Sequence, residues 1–458
     1  MEWPLDQELY RGRLDQAVLH RETGMVAKSV GLLLEANLPS ASVGSICTIE
    51  QVRGRKENER FEAEVVGFRG TTALLMPFDL AHGVHSGSRV VLADRQAMVR
   101  IGPELLGRVI DARGVPMDGL GPIEYLHRTS EMRGIHRRAI DPMKREVIRT
   151  SMQLGVRSID GLITCGRGQR VGIMAGSGVG KSVLLGTMAR NTSADINVIA
   201  LVGERGREVR DFIEKDLGPE GLARSVIVVA TSDTSAILRM RAAYVAATIA
   251  EYFRDQSKNV LLLMDSVTRF CMAQREIGLA MGEPPATKGY TPSVFSILPK
   301  LLERSGTSDN GGSITGLYTV LVEGDELDDP VADSVRSYLD GHIILSRRLA
   351  ERGHYPAVDV LQSTSRVMPS VVTREHLSDS MKVREWMSTY NDAEDLINIG
   401  AYVKGANPKV DVAVALHDRI TTFLRQDIAA QAGEAETLAQ LRSIVLAGEA
   451  AGRPTTKS

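Results

Sequence analysis

One stretch limits what this 458-residue chain can fold into. The apolar run Val171-Gly-Ile-Met174 leads into Ala175-Gly-Ser-Gly-Val-Gly180-Lys181-Ser182, and then into the helical run Val183-Leu-Leu-Gly-Thr-Met-Ala189. A strand, a glycine-rich turn and a helix in that order form a phosphate-binding loop, whose glycines let backbone N–H groups wrap a triphosphate without Cβ clashes. The helix N-terminus adds positive potential. On this reading the loop from Gly176 through Ser177, Gly178, Val179 and Gly180 to Val183 cradles the phosphates of ATP. Lys181 neutralises the β and γ phosphates, and Ser182 offers its hydroxyl to Mg2+. Ala175 takes the place of the pattern's first glycine, where a small residue is expected to fit.

The loop commits its surroundings to a parallel sheet. Val198-Ile-Ala-Leu-Val202, Val226-Ile-Val-Val-Ala230, Val260-Leu-Leu-Leu-Met264, residues 313–322 and His342-Ile-Ile-Leu345 are nearly continuous apolar runs, often β-branched, with helical segments between them. That pattern marks strands covered on both faces. Asp265 closes one run at the carboxyl end of a strand, suited to holding a metal-bound water beside the phosphates. Gly203-Glu204-Arg205-Gly206-Arg207-Glu208 follows another, where ligands gather in such sheets. Glu204 is the candidate base for water, and Arg205 is placed to reach a phosphate. The plainer reading of both is a solvated charge cluster opening a helix over Glu208 to Leu217. Further on, Tyr355 offers an aromatic face for adenine, and Arg366 is a candidate arginine finger across a subunit boundary. Against these stand the ordinary roles of core tyrosine and surface arginine.

Around this core the patterns change. Residues 1–23 place Leu5 with Leu9 and Leu14 with Val18 at i,i+4 spacing, as in a short amphipathic arm. From 24 to 94, short β-type runs punctuated by glycine and proline predict a small β-barrel. Residues 95–150 are dense in turn formers, Gly102-Pro103, Gly114, Pro116, Gly119 and Gly121-Pro122 among them, and read as a connecting segment. The α/β domain spans 151–370. The remainder, 371–458, reads as helical, including Lys382-Val-Arg-Glu-Trp386 and Thr421-Thr-Phe-Leu-Arg-Gln426, with a frayed tail over 453–458.

A hydrophobic share of 43% and a charged share of 24% are those of a soluble globular chain. No run approaches the roughly 20 apolar residues of a membrane span, and Met1-Glu2-Trp3-Pro4 does not open like a secretory signal, so a cytoplasmic location is expected. Cys47, Cys165 and Cys271 lie too far apart for a zinc-ligand pair and read as small buried apolar residues. The net charge of −2 argues against a nucleic-acid partner. So does the barrel, where Phe61, Phe68 and Phe78 stand singly instead of forming the stacking platform of an RNA translocase.

In order along the chain, Ala175-Gly-Ser-Gly-Val-Gly-Lys-Ser182, Gly203-Glu-Arg-Gly-Arg-Glu208, Leu261-Leu-Leu-Met-Asp-Ser266, Gly282-Glu-Pro-Pro-Ala-Thr-Lys-Gly-Tyr290 and Tyr355-Pro-Ala-Val-Asp359 resemble the type III protein export ATPases, relatives of the rotary ATP synthase catalytic subunits. The resemblance covers nearly the whole chain. It implies an α/β RecA-like P-loop core with an N-terminal β-barrel and a C-terminal helical domain, assembled as a homohexamer. It implies phosphate roles for Lys181 and Ser182, water activation by Glu204, metal binding at Asp265, adenine stacking on Tyr355 and a finger at Arg366. One chain holding both Glu204 and Arg366 can make every interface of such a ring catalytic. Glu64-Val-Val-Gly-Phe68 and Leu74-Leu-Met-Pro-Phe78 resemble flagellar N-domains, which favours flagellar export over the virulence injectisome. The resemblance also sets the ring under an export gate at the cytoplasmic face of the inner membrane. Its implied partners are a stator-like regulatory protein on the N-terminal arm, a coiled-coil protein at the centre, and export substrates or their chaperones. A rotary synthase subunit shares the core; a non-hydrolytic structural subunit is opposed by Glu204.

Overall fold

The structure is a computed structural model that describes residues 22–50, 60–322 and 329–451. The expected arm, but for its last two residues, and the frayed tail lie outside the described residues. The chain divides into two compact units, one running to Ala97 with residues 280–282, the other made of 98–279 and the chain from Glu283 onward.

In the first unit six strands close into an antiparallel barrel: β1 (Thr23–Val30), β2 (Leu33–Ala36), β3 (Ile46–Glu50), β4 (Arg60–Arg69), β5 (Thr72–Pro77) and β6 (Arg89–Asp94), in the order β1-β2-β5-β4-β3-β6. Its core shows why. Leu34 and Ala36, Cys47 and Ile49, Ala63 and Val65, Ala73 and Leu75, Val90 and Leu92 are buried two residues apart, as the pleat of a strand requires when one face lines a barrel. Closure leaves no edge strand unpaired.

The second unit opens with β7 (Met98–Ile101), β8 (Val109–Asp111) and β9 (Glu131–Gly134), then the two-residue strands β10 (Ser151–Met152) and β11 (Cys165–Gly166). The large sheet takes β8 together with β12 (Arg170–Ala175), β13 (Ile196–Val202), β14 (Ser225–Ala230), β15 (Asn259–Asp265), β16 (Gly306–Thr307), β17 (Ser313–Leu321), β18 (Gly341–Leu345) and β19 (Val358–Ser365). Its order is β19-β18-β12-β17-β15-β13-β14-β8, with β16 pairing β17. All neighbours are parallel except β19 against β18 and β16 against β17.

Both edge strands differ from the sequence reading. Residues 95–150 are more than a connector: their glycines and prolines turn the chain between short strands, and one of these, β8, extends the sheet beside β14. At the other edge, β19 alternates buried Val358, Val360 and Ser363 with exposed Gln362 and Thr364, so it lacks the continuous apolar run of a central strand. The helix expected over Glu208 to Leu217 is α-helical only as far as Asp211 and continues as a π-helix over Phe212–Leu217.

Three helices, Arg374–Asn398, Pro408–Leu424 and Glu434–Ala451, follow the sheet. Thr373 and Asn407 cap the first two, accepting hydrogen bonds from the backbone N–H groups of His376 and Lys409. The second helix ends at Leu424, so Arg425 and Gln426, expected on it, are released to form a loop. Leu416, Ile420 and Phe423 from this bundle share one core with Leu184, Leu185 and Met188 of the helix after the phosphate loop. Gly448 is required for that packing, since a Cβ there would lie 2.3 Å from the Trp386 ring. All three cysteines are free and buried.

Candidate active site

Strand β12 is central, between β17 and β18, and its carboxyl end delivers the phosphate loop. Ala175 is its last residue, 1% exposed, and its carbonyl accepts from Val322 N–H at 3.0 Å. Its methyl group is buried in the hydrophobic core, which is why a small apolar residue serves there. Gly178 and Gly180 hold φ of +78° and +87°, a left-handed conformation that costs glycine little. Helix Lys181–Asn191 then begins with no side-chain cap, leaving its first N–H groups to an anion. At its other end Arg224 donates to the carbonyls of Ala189, Arg190, Thr192 and Ala194 at 2.8 to 3.2 Å, satisfying orphan acceptors and fixing the helix that carries Lys181.

Three predicted residues meet. Lys181 Nζ donates to Asp265 Oδ1 at 2.5 Å and lies 3.5 Å from Glu204 Oε1. Asp265 and Glu204 reach it from the carboxyl ends of the adjacent strands β15 and β13. Burial raises the Glu204 carboxyl to about 7, the nearby Asp265 charge pushes the same way, and Lys181 opposes both. For Lys181, burial works against the charged form, but Asp265 and Glu204 outweigh it and hold its pKa above the ordinary lysine value. The result is a lysine kept cationic beside a carboxyl group that titrates near neutrality.

Tyr355 stands on the other side of the loop. A Cβ on Gly180 would lie 3.4 Å from its ring, and the ring helps line a cavity of about 300 Å³ with Val156, Val183, Leu184 and Ile428. A mostly apolar slot of this size beside a glycine-rich loop can accept a flat aromatic ring.

Two predicted residues lie elsewhere. The Arg205 side chain is 79% exposed and its nearest carboxylate is Glu208 at 3.8 Å, so within this chain it does not join the Lys181 cluster. Arg366 sits where its N–H donates to Asp340 O at 2.9 Å, while Asp340 N–H donates to Arg170 O. It is therefore beside the start of β12, about 17 Å of strand from the loop at its end, beyond an arginine's reach.

Other residues at the site carry no sequence signal. Thr319, on β17, donates to Asp265 Oδ1 at 2.6 Å. Arg269 lays its aliphatic stem against Gly203, where a Cβ would come within 2.8 Å of it. Gln426 anchors the loop that walls the base cavity: its Oε1 accepts from Arg157 N–H at 2.9 Å, and its Nε2 donates to Gly155 O and Ala430 O at 2.8 and 3.0 Å.

Comparison with known proteins agrees with this architecture. Residues 155–365 match the ATP synthase alpha/beta family nucleotide-binding domain, and 372–443 match the C-terminal domain of the type III secretion ATPase EscN. A flagellum-specific ATP synthase of Bacillus subtilis is 52% identical, covering 93% of this chain and 95% of the relative. A type 3 secretion system ATPase of Sinorhizobium fredii is 48% identical over 90% of this chain and 89% of its own. Among solved structures, the assembled ATPase EscN of enteropathogenic E. coli superposes with a TM-score of 0.84 at 45% identity, covering 92% of this chain and 100% of that one. A second structure holds EscN with its central stalk EscO.

Proposed function

We propose a reaction and a working assembly on one premise: the chain belongs to the ATP synthase alpha/beta family and, within it, to the flagellar and type III secretion ATPases. It is an ATP-hydrolysing enzyme. ATP lies with its base in the Tyr355 cavity and its phosphates on the loop from Gly176 to Val183. A water oxygen bonds to the γ-phosphorus as the bond to the β–γ bridging oxygen breaks. Glu204 takes the water's proton, and Lys181 stabilises charge on the β and γ oxygens. The observation that carries this reading is the Lys181 ammonium lying between Asp265 and a Glu204 whose pKa is raised to about 7, close to what a general base needs.

The residues present also suit Mg2+. The hydrogen bonds that Lys181 and Thr319 donate to the Asp265 carboxylate both fall on Oδ1, leaving Oδ2 as a hard oxygen donor, and Ser182, the second residue of the helix after the loop, adds a hydroxyl. An ion here would be held mainly by nucleotide phosphates and one or two side chains. Bound there with nucleotide, Mg2+ supplies neutralisation of phosphate charge.

Arg366 lies too far from its own loop to act in cis, so its finger role requires a neighbouring copy, and the working form is a homohexamer with an active site at each interface. Arg205 joins the phosphates when such an interface closes. The functional division follows an arm (1–23), the barrel (24–94), a segment (95–150) that leads to the core and adds β8 to its sheet, the ATPase core (151–370) and the helical domain (371–458). The ring energises protein export, flagellar in preference to injectisome, because relatives named flagellum-specific ATP synthase reach 52% and 50% identity against 48% for the type 3 secretion ATPase. By analogy with the EscN–EscO complex, a coiled-coil stalk occupies the centre. A stator-like protein binds the arm, and export substrates or their chaperones are delivered at an export gate on the cytoplasmic face of the inner membrane. No helix among the described residues is long and apolar enough to cross that membrane.

Mixing two inactive variants tests the shared site. Glu204→Gln subunits retain the finger, and Arg366→Ala subunits retain the base. In random mixed rings about a quarter of interfaces join an intact base to an intact finger, so activity reappears on mixing at concentrations where light scattering detects rings. Failure of mixed rings to regain any activity rules out the trans finger.

A further inference from the structure

We propose that Thr319 is a positioning residue for the metal-holding carboxylate, keeping Asp265 turned toward the phosphate site when Lys181 leaves it. The inference rests on the reading of Asp265 given above and goes beyond it by assigning the device that aims the carboxylate.

Thr319 is fully buried on β17, which lies between the Asp265 strand β15 and the phosphate-loop strand β12. Its hydroxyl proton has two acceptors in reach, Met264 O at 3.3 Å and Asp265 Oδ1 at 2.6 Å. The shorter, ionised partner takes it, because charge-assisted hydrogen bonds are roughly twice as strong as neutral ones. Asp265 Oδ1 therefore receives two donors, the Lys181 ammonium and the Thr319 hydroxyl.

Lys181 cannot serve both partners fully once triphosphate occupies the loop, since its role there is to neutralise the β and γ phosphates. Asp265 is only 4% exposed, so water does not readily replace the lost donor. Thr319 then remains as the donor to Oδ1. It keeps the carboxylate plane fixed, with Oδ2 left clear of both donors, at no cost in reorganisation. A hydroxyl on a rigid β-branched side chain is well suited to holding a partner in place, because threonine has few rotamers in a strand, and strand β17 is paired with β12 on one side and β15 on the other.

The test measures metal affinity directly. The free Mn2+ electron paramagnetic resonance signal is titrated in the presence of ADP with wild type, Thr319→Val, Thr319→Ser and Asp265→Asn, and ADP binding is measured in EDTA for each. Outer-shell partners of metal ligands typically contribute 10- to 100-fold in affinity, so Thr319→Val should weaken Mn2+ binding by about tenfold while ADP binding in EDTA is retained. Thr319→Ser, which restores the hydroxyl, should bind Mn2+ within about threefold of wild type, below that range. A purely structural role for Thr319 predicts a fall in thermal midpoint with unchanged Mn2+ affinity. If Thr319→Val binds Mn2+ like wild type while Asp265→Asn does not, the positioning role is lost and the metal role of Asp265 stands. If Asp265→Asn also binds normally, the metal reading itself falls. Should the valine variant not fold, Thr319→Ala replaces it, and equal Mn2+ affinities for the serine and alanine variants overturn the proposal.

Discussion

Glu204 and Asp265 stand at the carboxyl ends of adjacent strands, and Lys181 opens the helix after a third, so the phosphate end of the site is organised by one sheet. The base end is organised otherwise. Its cavity takes Val156 from before the sheet, Val183 and Leu184 from the loop helix, Tyr355 from the turn before an edge strand, and Ile428 from a loop between two C-terminal helices. On the proposed reading, charge chemistry is fixed by local strand ends, while base binding depends on long-range packing of the helical region. The difference predicts two kinds of damage: changes at the phosphate end should strike turnover, and changes at the base end should strike affinity.

Glu204→Gln should give the largest effect. Removing a general base typically costs 10²- to 10⁴-fold, so turnover should fall by about a thousandfold while equilibrium ATP binding is retained. Loss of binding in proportion to loss of rate would remove the distinction between the two ends. The same group sets a pH dependence. With the Glu204 pKa raised to about 7, the proposed base role predicts a carboxyl that is protonated and idle below that pH and active above it. In wild type, kcat/KM should therefore rise about tenfold per unit through the acid limb and level off above 7, a limb that Glu204→Gln lacks.

Tyr355→Ala should give the next largest effect, of the other kind. An aromatic face on a base contributes about 1 to 3 kcal/mol, so the KM for ATP should rise by roughly tenfold or more with kcat little changed. A fall in kcat with KM unaltered would place Tyr355 at the chemistry instead of the base.

These contrasts match what the sequence made legible. The meeting of Lys181, Glu204 and Asp265 could be anticipated because each closes or follows a recognisable apolar strand, and parallel sheets gather such ends at one edge. Strand β8 was hidden because three residues among glycines and prolines carry too little periodicity. Strand β19 was hidden because an edge strand with one exposed face is partly polar. Tyr355 was legible as an aromatic, but the cavity was not, since Val156 and Ile428 lie far apart in sequence and acquire meaning only when the helices pack. Thr319 is an ordinary strand threonine until β17 is set beside β15. The separation of Arg366 from its own loop follows from the antiparallel return of β19, which no local pattern encodes.

Gln426 offers the finest test of the comparison, because it ties the helical region to the base cavity without being part of the chemistry. Its backbone N–H donates to Tyr355 O at 3.0 Å, and its side chain holds Gly155, Arg157 and Ala430. Arg157 in turn donates to Phe423 O at 3.0 Å and to Arg425 O, satisfying carbonyls at the end of helix Pro408–Leu424. Gln426 is only 9% exposed, and Gln426→Ala leaves the Arg157 N–H and two carbonyls unpaired, at about 1 to 3 kcal/mol for a buried unsatisfied group. Part of that cost should appear as a lower thermal midpoint and part as a rise of a few fold in the KM for ATP, as the loop carrying Ile428 loosens. Gln426→Glu separates bonding from bulk: it keeps the shape but turns the two-donor end into an acceptor facing the carbonyls of Gly155 and Ala430. If hydrogen bonding holds the wall, the glutamate variant behaves like alanine or worse; a wild-type KM for it would mean that bulk alone holds the cavity.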